Sequence, residues 1–93
     1  MTVATLRLKL QMADCHTNRE KRRLMRAIME KLHRHFNVSV AEGEQDANPT
    51  HSDLTVAVAA RTRREAREIL ARVADAVAAH PRAELLSHAI LEV

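Results

Sequence analysis

The side chains best able to do chemistry in this chain gather between positions 15 and 26, in the run CHTNREKRRLMR. It opens with a thiol next to an imidazole, Cys15 and His16, and continues with five cations around a single acid, Glu20. A Cys–His neighbour pair suggests two kinds of site, a metal centre or an activated nucleophile. Neither is expected here. The chain has no Cys-x-x-Cys and no His-x-x-x-His spacing, and adjacent residues on a loop rarely ligate one metal by themselves. A nucleophilic cysteine also needs a base and an orienting group, and the sequence identifies neither. Cys15 is read as a partly buried thiol in a turn, with no metal and no cofactor.

The cations point to a different chemistry. Arg19, Lys21, Arg22, Arg23 and Arg26 are matched by a second cluster, RTRREAR, holding Arg61, Arg63, Arg64 and Arg67. Guanidinium and ammonium groups at this density suit phosphate oxygens. The competing reading is a solvated helix start, with the arginines paired to Glu20, Glu65, Glu68 or a neighbouring carboxylate. Cations near a helix N-terminus are unfavourable by a few tenths to about 1 kcal/mol each, so a chain that places them at both helices invites a reason.

The elements that must position these clusters are set by periodicity. Residues 3–12 alternate, with Leu6, Leu8, Leu10 and Met12 on one face and Arg7, Lys9 and Gln11 on the other, which predicts a strand of a sheet covered on one side. Thr17 and Glu20 form a Thr-x-x-Glu capping pattern, and Leu24, Met25, Ile28, Met29, Leu32 and Phe36 then recur at helical spacing. This predicts a helix over about 17–35 with His33 and His35 in its last turn, where positive charge suits the dipole. Residues 37–42 alternate again, with Val38 and Val40 inward. Gly43 and Pro49 mark residues 43–51 as the one extended loop, and the most mobile part. SDLTVAVAAR reads as a third strand with Leu54, Val56 and Val58 inward. A second capping pattern, Thr62 with Glu65, opens a helix over about 62–80, with Pro81 just past it. The closing AELLSHAILEV reads as a strand whose inward face stays ambiguous, because Leu85 and Leu86 are adjacent.

The order is β-α-β-β-α-β over a single domain, residues 1–93. It predicts an α+β, ferredoxin-like fold: a four-stranded antiparallel sheet with two helices on one face. Residues 1–42 and 52–93 each read as strand–helix–strand with a Thr-x-x-Glu cap, a repeat of architecture. In this topology the first and third strands are expected to run parallel, so that both helix N-termini emerge at one end of the sheet. The two basic clusters would then share one edge.

Composition bounds the rest. The chain of 93 residues is 46% hydrophobic and 29% charged, with a formal charge of +3 and a single aromatic, Phe36. The core must be aliphatic, and the base-stacking aromatics of an RNA-recognition sheet are missing. One cysteine excludes an internal disulfide and fits a reducing cytoplasm. No apolar stretch reaches the roughly 18 residues of a membrane span, and the N-terminus alternates where a signal peptide would be continuously apolar. Acylphosphatases share the predicted fold, but they need a Gly-rich phosphate cradle after the first strand, where this chain reads ADCHTN. An enzyme is therefore not expected.

The chain also resembles the YlxP-like family of small bacterial proteins, a domain of unknown function. The resemblance runs over nearly the whole length. It rests on LRLKLQM, EKRRLMRAIMEKLHRHFNVSVAE, DLTVAVAA and AELLSHAILEV, most specifically on Glu20-Lys21-Arg22-Arg23 and on residues 36–42. Relatives usually carry a Ser-Leu-Lys type start where Thr17-Asn18-Arg19 stands, and an aromatic or longer apolar residue in the loop after Glu42. The resemblance implies a ferredoxin-like fold and a gene often placed among those for translation and ribosome maturation; it implies no established activity.

Together these readings predict a non-enzymatic, cytoplasmic accessory protein for RNA or a ribosomal particle. Its phosphate-binding residues would be Arg19, Lys21, Arg22, Arg23, Arg26, Arg61, Arg63 and Arg64, with Lys21 and Arg22 the foremost contacts. The alternative is a homodimeric protein-interaction module. It would pair through the open sheet face, where Arg7, Lys9, Gln11, Asn37, Ser39, Thr55, Ala57 and Ala59 point away from the helices.

Overall fold

The computed structural model describes residues 1–43 and 48–92. Its elements are β1 (Thr2–Gln11), α1 (Asn18–His35), β2 (Ser39–Glu42), β3 (His51–Ala60), α2 (Arg63–Ala78) and β4 (Glu84–Glu92). The strands form one sheet in the order β2-β3-β1-β4, every neighbouring pair antiparallel. The predicted β-α-β-β-α-β fold is present, with α1 over the β2 side and α2 over β1, β3 and β4.

Both helices start where the caps place them. Thr17 Oγ1 accepts from the Glu20 backbone N–H at 3.1 Å, and Thr62 Oγ1 accepts from that of Glu65 at 3.1 Å. Each cap satisfies one N–H that the first turn leaves without an intrahelical partner. Glu20 reaches back to accept from the His16 N–H at 3.3 Å, completing the reciprocal half of the box one residue early.

The core is one aliphatic cluster. Leu6, Leu8 and Leu10 of β1, Leu54 and Val56 of β3, Met25, Ile28 and Leu32 of α1, and Leu70, Val73 and Val77 of α2 are all buried in it. Phe36 and Val40 pack against it from its edge. Cys15 is fully buried there too, deeper than its place in a turn suggested.

The last strand owes its ambiguity to a bulge. Lys9 pairs with Ser87 and Leu10 with Leu85, so Leu86 is the extra residue. The parity shift puts Leu85 and Ile90 against the core and leaves Leu86 and Leu91 46% and 59% exposed.

One topological expectation fails. β1 and β3 are antiparallel: Thr2 pairs with Ala60 and Gln11 with His51. The helical crossover leaves β1 and β2 pointing the same way, and the β2–β3 hairpin then reverses the chain, so β3 must oppose β1. α1 therefore starts at the Gln11 end of the sheet and α2 at the Thr2 end. The two helix N-termini, and the two basic clusters with them, lie at opposite ends and share no edge.

Of residues 43–51, expected to form the most mobile part, 44–47 lie outside the described residues. Residues 48–51 are anchored. The Met12 N–H donates to the Thr50 carbonyl at 2.7 Å, and Asn48 Oδ1 accepts from the Thr50 N–H and hydroxyl at 2.9 and 2.7 Å.

Candidate nucleic-acid interface

The first basic cluster divides between the two sides of α1. At about 100° per residue, position 21 falls on the same side as Leu24, Met25, Ile28 and Leu32. Lys21 is accordingly buried, only 2% exposed. Its ammonium donates to the carbonyls of Asn48 at 2.9 Å and His51 at 3.2 Å. It ties the first turn of α1 to the entry of β3, and it is no contact for a ligand. This corrects its place among the foremost phosphate-binding residues. The signal was present in the sequence, because position 21 belongs to the apolar stripe at i−3, i−4 and i−7 from Leu24, Met25 and Ile28.

The four arginines take the opposite side. Arg19, Arg22, Arg23 and Arg26 are exposed and fall within an arc of about 100°. None of the four makes an ion pair among the described residues. They sit in the first three turns of an 18-residue helix, at its positive end. They are also spaced i, i+3 and i+4 from one another, where like charges repel by about 0.2–0.5 kcal/mol per pair.

The second cluster is electrostatically different. Arg61 pairs with Glu65 at 3.6 Å and Arg64 with Glu68 at 3.3 Å, both within α2 or its lead-in. Arg63 and Arg67 converge on one acid, Glu92, each at 2.6 Å. Glu92 is partly buried beside them and binds the end of β4 to the start of α2. Sequence reasoning named Glu65 and Glu68 as partners and missed Glu92, whose facing depends on the bulge at Leu86.

At the α1 end the exposed pair among the described residues is Asp14–Arg82, at 3.0 Å. It joins the β1–α1 turn to the α2–β4 turn. The Arg82 hydrogen bond holds the Asp14 carboxyl below its ordinary value. Burial, and then the Asp14 charge, push the Cys15 thiol up. A thiol held neutral in an apolar site is a packing group. Among the described residues no three His, Cys, Asp or Glu side chains converge as metal ligands.

On the open sheet face, Leu91, Ala89, Thr5 and Ala57 form an uncharged half, and Arg7, Lys9 and Asp53 a charged half with Arg7 and Asp53 3.9 Å apart. No helix among the described residues is long and apolar enough to cross a membrane.

A ferredoxin-like fold with an arginine stripe unpaired among the described residues is the class these features define. The chain belongs to the DUF503 family, the YlxP-like proteins: the model described as "Protein of unknown function (DUF503)" matches residues 3–90. Among solved structures, the solution NMR structure of a de novo designed protein with ferredoxin fold, LFR1 1, is similar with a TM-score of 0.56 at 11% identity, over 100% of this chain and 84% of the designed one. At that identity the likeness shows the fold alone. No curated protein matches the sequence.

Proposed function

We propose that this protein is a non-enzymatic accessory protein that binds RNA phosphates, on ribosomal RNA or a ribosomal particle, through the exposed side of α1. The contacts are Arg19, Arg22, Arg23 and Arg26. Arg61, Arg63 and Arg64 leave the site: they lie at the other end of the sheet and are already paired. The observation that carries this reading is the stripe itself, unpaired among the described residues. Four mutually repelling cations at the positive end of a helix lower its stability, and a polyanion relieves both penalties at once. The family's association with ribosome maturation genes supports RNA as the polyanion. A cytoplasmic location belongs to the same proposal and is supported by Cys15, a free buried thiol.

The test is a salt titration of RNA binding. Four neutralised phosphates predict a slope of about −3 on logarithmic axes for a single strand. An Arg22→Glu, Arg26→Glu variant should lose most of the affinity, while Arg63→Glu, Arg64→Glu should keep it. Absence of a salt slope in the parent sinks the proposal.

A second reading has its own observation. Leu91 is more than half exposed on the uncharged half of the open face, with Ala89 beside it and Ala57 beyond Thr5, which suits a homodimer. Sedimentation equilibrium at micromolar concentration decides it, and a monomer of 10.5 kDa removes it.

A further inference from the structure

The shape of the stripe says more about its ligand than its charge does. Arg19–Arg23 and Arg22–Arg26 are two i, i+4 rows lying side by side, each rising about 6 Å along the axis. The rod that carries them is rigid. Its other side is buried against the sheet through Leu24, Met25, Ile28 and Leu32, and its start is held by the Thr17 cap and by Lys21. Two short rows of charge carried on one anchored helix suit a ligand whose phosphates already stand in two facing rows.

A flexible single strand lacks that order and must acquire it on binding. Proteins that bind single strands offset this by stacking bases on aromatic side chains. Here the only aromatic, Phe36, packs against the core. Double-helical RNA, by contrast, is recognised mainly through shape, phosphates and hydroxyls, which an arginine rod can contact without any aromatic.

We infer that the α1 stripe is a reader of double-helical nucleic acid, spanning the two phosphate rows that border a groove. The inference rests on the phosphate-binding reading above and narrows it to duplex over single strand. Glu30 adds an internal control, because it falls on the same arc about one turn beyond Arg26 and repels a phosphate placed there.

The experiment is fluorescence anisotropy of the full chain at fixed ionic strength. The probes are an RNA duplex of about 20 base pairs, each of its strands alone, and a DNA duplex of the same sequence. The duplex RNA is expected to bind about tenfold more tightly than either strand, and Glu30→Gln to tighten it about twofold further. A DNA duplex bound more tightly than the RNA one keeps the duplex inference and overturns RNA as the ligand. A single strand bound as tightly as the duplex, with Arg22→Glu, Arg26→Glu still abolishing binding, overturns the duplex inference and leaves the phosphate reading standing. Failure to bind any probe, or binding indifferent to the arginine pair and to Glu30→Gln, overturns both.

Discussion

The two helix starts of this protein are close copies in sequence and opposites in electrostatics. Each follows a strand in the chain, each is capped by a threonine whose hydroxyl accepts from the N–H three residues on, and each is rich in arginine. At α2 the arginines have Glu65, Glu68 and Glu92 within reach. At α1 the one acid of the first turn, Glu20, is turned back to the His16 N–H, and Lys21 is buried beneath the helix. A count of cations therefore says little about a binding surface. What matters is which acids the topology delivers to them. β4 ends beside α2 and brings Glu92 there; among the described residues no strand brings an equivalent to the outer side of α1.

The α1 start is most vulnerable at Lys21. Among the described residues, only the α1 start depends on a buried cation that spans to another element. Lys21→Ala removes a buried stem and two charge-assisted hydrogen bonds, and is expected to lower unfolding free energy by about 3 kcal/mol. Lys21→Met, which keeps the stem, should lose roughly half of that. Urea unfolding monitored by circular dichroism measures both, and two near-neutral variants would show that Lys21 is no anchor.

Glu92 is the corresponding tie at the α2 start. Glu92→Gln releases Arg63 and Arg67 from their shared carboxylate. The stability loss should be about 1 kcal/mol, because both arginines are more than half exposed and screened by water. If paired acids are what silence the α2 end, the same variant should gain affinity for a polyanion. Unchanged affinity would mean that geometry, rather than neutralisation, separates the two starts.

The smallest effect is at Asp14. Its partner Arg82 holds the carboxyl below its ordinary value of 3.8. The pair's contribution to stability is thus present above that value and fades as pH falls through the lowered folded-state value. Asp14→Asn should lower the melting temperature slightly at pH 7, and the two proteins should converge in acid only once the pH lies below the lowered folded-state value. A difference that persists there would assign the loss to something other than the ion pair.

Much of the fold was legible because its signals are local. Period two against period 3.6, two Thr-x-x-Glu caps and a single loop-like stretch locate all six elements, with ends shifted by one or two residues. What was not legible depends on relations between elements. The direction of β3 relative to β1 depends on how a crossover and a hairpin combine, and the wrong combination put both arginine clusters on one edge. The facing of β4 depends on a bulge at Leu86 that appears only once β1 supplies a register. Lys21 is the instructive case. Its burial was written in the helical spacing, but its charge argued for the surface, and two backbone carbonyls from a distant segment make the buried site tolerable.

On the proposed function, the α1 stripe is held at a cost in stability for the sake of an anion. Parallel measurement of stability and RNA affinity in Arg22→Glu, Arg26→Glu tests it directly. Acids in the first turns suit the helix dipole, and the substitutions turn repelling i, i+3 and i+4 neighbours into attracting ones. The variant should be more stable than the parent by about 1 kcal/mol and should no longer bind RNA. A variant that is less stable, or that is more stable and binds RNA as the parent does, would contradict it.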